Sequence, residues 1–209
     1  MDKTVLESAQ AYLDQTAQIM LNARQDEGFV AALEAAVASI TAALRAGHKI
    51  LLAGNGGSAG DAQHIAGEFL SRLNFDRAPL PAIALTTDSS VLTAVGNDYG
   101  YEFIFERQIL GLGQPGDIFI GISTSGRSPN IIKALQAARA KGLVTIGFCG
   151  HDPRDMGPLC DVAVRAPSGE TPLIQQIHIV AAHIICGEVE RLIFKSEVTT
   201  AESPSALHN

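Results

Sequence analysis

The sequence predicts an α/β fold: a three-layer α-β-α sandwich on a five-stranded parallel sheet, preceded by N-terminal helices. Three observations carry that expectation. Five short, unbroken apolar runs recur, at residues 49–53, 82–85, 117–122, 143–148 and 161–164. Stretches with helical periodicity separate them, and loops of Gly, Ser, Thr or Asp follow the strand ends. Continuous apolar strands are those buried on both faces, as in a parallel sheet whose crossovers are helices.

Taken in order, residues 4–24 and 29–46 are Ala-rich with apolar positions three and four apart, which predicts two amphipathic helices. The pattern changes at Lys49-Ile50-Leu51-Leu52-Ala53, a strand that ends in Gly54-Asn55-Gly56-Gly57-Ser58. Helical periodicity then resumes to about Leu73. Ala82-Ile83-Ala84-Leu85 precedes a Thr/Asp/Ser loop and a further helix. The run at 117–122 leads into a Ser/Thr loop and a helix over 129–140, and the run at 143–148 precedes Gly150-His151-Asp152-Pro153. The last strand passes through Pro167-Ser168-Gly169 to a long helix over 172–194. The tail at 196–209 is rich in Ser, Thr and Ala without periodicity and is expected to be mobile, leaving 1–195 as a single domain with no linker.

Composition narrows the function. Apolar residues make up 46% of 209, enough for a large core, while charged residues at 18% are sparse for a monomer's surface and hint at burial between subunits. A net charge of −7 without a Lys/Arg cluster argues against a nucleic-acid binder. Backbone N–H groups can still bind an anion in an acidic protein. Cys149, Cys160 and Cys186 are odd in number and in no CxxC arrangement, so reduced thiols in the cytoplasm are expected rather than disulfides or a structural zinc cluster. The opening residues form a polar amphipathic stretch rather than a signal peptide, and the apolar segment 177–186 is broken by His178 and His183 and too short to span a bilayer.

In doubly wound sheets ligands sit beyond the C-terminal strand ends, and two of those ends carry small-residue chemistry. Gly54-Asn55-Gly56-Gly57-Ser58 before a helix lets the backbone approach a ligand closely at a helix N-terminus, although a tight turn with an N-cap accounts for it equally. It has neither the GxGxxG spacing of a dinucleotide fingerprint nor a Walker Lys-Ser/Thr. Ser123-Thr124-Ser125-Gly126-Arg127-Ser128 packs four hydroxyls between a strand and a helix, more than capping needs, which points to a phosphate group.

These loops, together with Asp61-Ala62-Gln63-His64, Gly96-Asn97-Asp98-Tyr99-Gly100 and Ile174-Gln175-Gln176-Ile177-His178, resemble the sugar isomerase (SIS) domain family over about residues 5–194. Within it the resemblance is to the bacterial phosphoheptose isomerases. It implies conversion of D-sedoheptulose 7-phosphate to D-glycero-D-manno-heptose 7-phosphate, the entry to heptose for lipopolysaccharide or related glycans. It further implies a homotetramer with active sites near subunit boundaries, and a zinc ion, one per subunit, in some members.

Ketose–aldose isomerisation moves a proton between C1 and C2 and needs a base, an acid and a stabiliser of the developing oxyanion. His64 and Glu68, four apart, project from one helical face. Gln175 and His183 lie eight apart on the last helix, roughly 80° around it. The resemblance assigns Glu68 as general base and His183 as general acid, and His64, Glu68, Gln175 and His183 as the metal set. Two imidazoles and a carboxylate suit Zn²⁺, with a Gln oxygen an uncommon fourth ligand. Whether Glu68 serves mainly as base or as ligand stays open at this stage. Helical geometry alone would prefer Gln176, seven residues from His183, and the resemblance decides for Gln175. The resemblance also places Asn55, Gly56, Gly57, Glu68, Asn97, Asp98 and Gln175 against substrate, and Ser123, Thr124, Ser125 and Ser128 on the phosphate. His178 reads as structural, and Arg72 as either a ligand contact or an exposed ion pair. The rivals are a non-catalytic SIS scaffold, a sugar-phosphate-sensing regulator, and an isomerase of another ketose phosphate. The scaffold homologues lack the paired Glu and His present here.

Overall fold

The structure, a computed structural model, describes residues 4–201. Helix α1 (Val5–Gln25) begins at a reciprocal cap: Glu7 N donates to Thr4 Oγ1, and Thr4 N to Glu7 Oε2. Asp26 then ends α1 and starts α2 (Glu27–Arg45), its carboxylate accepting from Phe29 N. The remainder alternates: β1 (Ile50–Gly54), α3 (Gly57–Leu70), β2 (Ala82–Ala84), α4 (Ser89–Asp98), α5 (Glu106–Leu112), β3 (Ile118–Ile122), α6 (Pro129–Ala140), β4 (Val144–Cys149), β5 (Val162–Arg165) and α7 (Thr171–Ala201). Short 3₁₀ segments at Tyr101–Phe103 and Arg154–Leu159 complete the chain.

The five predicted strands are present within a residue or two of their expected ends. Helix α5 and its preceding 3₁₀ turn had no counterpart in the sequence reading. Helix α7 continues past Phe194 to Ala201, and the rest of the tail, 202–209, lies outside the described residues.

All strand pairs are parallel, in the order β2-β1-β3-β4-β5. The chain runs outward from β1 to β2, then returns to β3 on the other side of β1. A crevice therefore opens at the C-terminal ends of β1 and β3, the switch point of a doubly wound sheet. Alternation along the strands divides the core in two. Ile50, Leu52, Ile118, Ile120, Ile146 and Phe148 face α1, α2, α3 and α7, whereas Leu51, Ala53 and Phe119 face α5 and α6. Helix α2 has the length and hydropathy of a membrane span, but Phe29, Leu33, Ala36, Ile40 and Ala43 pack in the first of these cores.

His178 of α7 is 1% exposed, with Nε2 at 3.0 Å from Cys149 O and the ring edge-on to Phe148. Its structural reading holds. Burial lowers its pKa from 6.5 to about 4, against a smaller opposing effect of the Cys149 hydrogen bond. The unfolded chain therefore takes up a proton before the folded one does. Stability is full above pH 6.5 and falls as pH drops toward 4, by about 3 kcal/mol. Urea unfolding at pH 7 and pH 4.5 should show this loss, and His178→Gln should flatten it.

Candidate active site

Helices α3 and α7 lie side by side and meet at two levels. At the upper level His64 Nε2 is 3.2 Å from Glu68 Oε1 and 3.0 Å from His183 Nε2. One ligand atom from each of these three side chains falls within 4.8 Å of the other two. Two imidazole nitrogens this close cannot both carry a proton, so at least one lone pair faces the cluster. Two nitrogens and a carboxylate directed at one point could hold a divalent cation. At the lower level the Gln175 amide rests against Gly57, where any Cβ would collide with it. Gly57 and His64 are separated by about 10 Å of helix axis.

Gln176 turns the other way and donates to Tyr12 OH of α1. The residue that helical geometry alone favoured thus faces α1, and the one assigned by resemblance faces α3. Helix curvature and the choice between adjacent side chains are invisible to an ideal wheel.

Beyond the cluster, on the side away from Gln175, a buried ion pair fixes both helices. Arg77 Nε donates to Glu190 Oε1 at 3.0 Å, and the two side chains are 2% and 1% exposed. Arg77 also donates to the backbone oxygens of Glu68 and Phe69, both at 2.7 Å, so it grips the last turns of α3 at Glu68 itself. Glu190 accepts from Leu73 N, Asn74 N and Asn74 Nδ2 as well. Burial alone would raise its pKa, but these backbone donors and Arg77 outweigh that and hold the carboxyl below its usual range. Glu190 stands two turns beyond His183 on α7.

Asp61, one turn before His64, is a residue the sequence reading quoted without a role. Its Oδ2 is buried with no hydrogen-bond partner among the described residues. Burial raises its pKa, with the nearby His64 acting in the opposite sense. The three-residue spacing to His64 was the available signal.

The two loops flank the switch point. Gly56 caps α3 at φ +55°, a conformation that favours glycine, and leaves the helix without a side-chain cap. Ser128 begins α6 but does not cap it, because its hydroxyl pairs with Ser123 Oγ at 2.9 Å. Ser125 Oγ is 3.5 Å from Ser123 Oγ and accepts from Arg127 N. Gly126, at φ +65°, turns the loop where a Cβ would lie 2.6 Å from Pro153 O. Thr124 and Ser125 line a cavity of about 170 Å³ with His151 and Ser168. Two uncapped helix starts across one crevice supply free N–H groups for an anion. Asn97 and Asp98 end α4, exposed and hydrogen-bonded to one another at 2.8 Å. Arg72 is exposed and forms no ion pair among the described residues.

The SIS-domain family model matches residues 11–150. The chain belongs to the SIS family and, within it, to the phosphoheptose isomerases. A phosphoheptose isomerase from Burkholderia pseudomallei (strain 1710b) is 53% identical over 177 residues, covering 85% of this chain and 90% of that one. The phosphoheptose isomerase of Aneurinibacillus thermoaerophilus is 50% identical over 195 residues, with 91% and 98% covered. Among solved structures, the phosphoheptose isomerase of Neisseria gonorrhoeae superposes with a TM-score of 0.84 at 36% identity, covering 90% of this chain and 99% of that one. The α/β fold with its parallel sheet and N-terminal helices is thus the SIS fold expected from the motifs.

Proposed function

We propose that this chain interconverts D-sedoheptulose 7-phosphate and D-glycero-D-manno-heptose 7-phosphate through an enediol, the first step in making heptose for lipopolysaccharide or related glycans. The observation that carries this reading is the convergence of Glu68 and His183 at His64, in a chain that also carries the hydroxyl-rich serine loop. Close relatives bearing the phosphoheptose isomerase name support the choice of sugar.

In this reading Ser123, Thr124, Ser125 and Ser128 hold the phosphate with the N-terminus of α6. Asn55, Gly56, Gly57, Asn97, Asp98 and Gln175 hold the sugar, whose C1–C2 end reaches Glu68. Glu68 Oε1 is engaged with His64, which leaves Oε2 to take the C–H proton and return it to the neighbouring carbon. His183 moves protons at the two substrate oxygens. The division of the carboxylate lets one side chain both join a metal set and act as base.

The metal we assign is zinc, one per subunit, held by His64, Glu68 and His183. Gln175, expected as a fourth ligand, instead rests against Gly57 about 10 Å of helix axis below the cluster and does not reach it. Tetrahedral Zn²⁺ with bonds of 2.0–2.1 Å separates its ligand atoms by about 3.3 Å, close to the 3.2 and 3.0 Å found here. When bound, zinc supplies Lewis-acid polarisation of the substrate oxygens.

We further assign a homotetramer in the cytoplasm. Val5, Leu6 and Leu13 of α1 are 88%, 68% and 65% exposed, an apolar face that a second copy would cover. The three cysteines are unpaired, and burial pushes the Cys149 and Cys186 thiols up to about 12, in keeping with a reducing compartment.

Incubation of the purified protein with sedoheptulose 7-phosphate tests the reading, with formation of the aldose as the expected result. Stringent chelation should cut the rate at least about tenfold, with recovery on adding Zn²⁺. Unchanged activity in metal-free protein would remove zinc from the mechanism while leaving the isomerase reading in place.

A further inference from the structure

Asn55 is held by two residues that the sequence reading left without a role. Its Oδ1 accepts from Asn130 Nδ2 at 2.8 Å and from Tyr101 OH at 3.1 Å. Its Nδ2 donates to Asn130 Oδ1 at 2.9 Å. A carboxamide has two acceptor lone pairs and two N–H donors. Both lone pairs of Asn55 are therefore engaged, and one N–H has no partner among the described residues.

The two partners come from elements that pack on one another, the 3₁₀ turn and α6, with Lys133 Nζ 4.4 Å from the centre of the Phe103 ring. Asn130 is the second residue of α6, just past the serine loop, and is 2% exposed. Tyr101 arrives from the 3₁₀ turn after α4 and stays 64% exposed, its hydroxyl bonded to Asn55. So exposed a ring gains little from burial, and its placement over Asn55 asks for another reason. The amide pair also bridges the β1 loop and the serine loop directly across the switch point.

We propose that Asn130 and Tyr101 are positioning residues that hold the Asn55 side chain in place, with its remaining N–H toward an acceptor oxygen of the bound sugar phosphate. This rests on the reading of Asn55 as a ligand contact. Holding the side chain before the ligand arrives removes the ordering cost of placing it on binding.

The test compares kcat and KM for sedoheptulose 7-phosphate in Asn55→Ala, Asn55→Asp, Tyr101→Phe and Asn130→Asp, and in the last two combined with Asn55→Ala. Asn55→Asp, which sets an acceptor against an acceptor, should raise KM more than Asn55→Ala does. Tyr101→Phe and Asn130→Asp should each raise KM by about three- to tenfold with kcat within about twofold, and should add nothing once Asn55 is Ala. Effects that add in full to that of Asn55→Ala overturn the proposal, as does an Asn55→Asp enzyme that binds as well as native. Should Asn130→Asp fail to fold, Tyr101→Phe on its exposed side chain carries the same comparison. An unchanged KM in Asn55→Ala removes Asn55 from the ligand site and the proposal with it, while turnover by the native chain still upholds the isomerase reading. If the native chain does not turn over, calorimetric affinity for the sugar phosphate reads the same variants, and the two failures stay distinct.

Discussion

Glu68→Gln is expected to lower kcat by about 10³-fold, the range general acid–base groups contribute, without unfolding the protein. Gln keeps the shape of Glu and can still accept from His64 through its carbonyl oxygen. What it loses is the proton-accepting carboxylate. The side chain is partly exposed, 19%, and projects from a helix whose backbone is held independently by Arg77, so the unfolding midpoint should move little. Steady-state kinetics beside a urea melt checks both halves. Activity within tenfold of native would remove Glu68 as the base, whatever its part in binding a metal.

The largest stability effect is expected at Glu190→Ala. Removing this carboxylate strands the buried Arg77 guanidinium and leaves Leu73 N and Asn74 N without their acceptor. Breaking a buried pair from one side costs about 3–5 kcal/mol, a large part of a domain's net stability. A fall in the urea midpoint with unchanged slope measures it. Because Arg77 also holds the Glu68 carbonyl, whatever folded Glu190→Ala enzyme survives should be less active. Acid should mimic the substitution: the Glu190 pKa is lowered from 4.5, so its contribution is present above that value and is lost as pH falls through the folded value. This window opens at pH 4.5, near the lower end of the one in which His178 acts.

The layers of the fold were readable because each buried strand is an unbroken apolar run between helical periods. The 82–85 run was readable for the same reason, although β2 forms only three residues at the sheet edge, where Ile83 is 41% exposed. Helix α5 escaped because its seven residues carry too few turns to set up a period against the preceding 3₁₀ turn. In the site, the pair His64–Glu68 was legible as helix spacing, and the serine loop as a density of hydroxyls. The supporting residues were not. Arg77 and Glu190, or Asn55 and Asn130, are joined across long sequence separations, and nothing local to any of them signals its partner. Local pattern reports which face of an element is buried; which polar groups meet across the core is decided by the topology that folds β1 beside β3 and α3 beside α7.

The measurement that bears most directly on the central claim is the kcat/KM of the native chain on five-, six- and seven-carbon ketose phosphates, with product identified at equilibrium. The His64–Glu68–His183 cluster, together with the likeness to phosphoheptose isomerases, predicts conversion of sedoheptulose 7-phosphate to its aldose in preference to the shorter sugars. Failure to convert any of the three, in folded protein supplied with zinc, would contradict it.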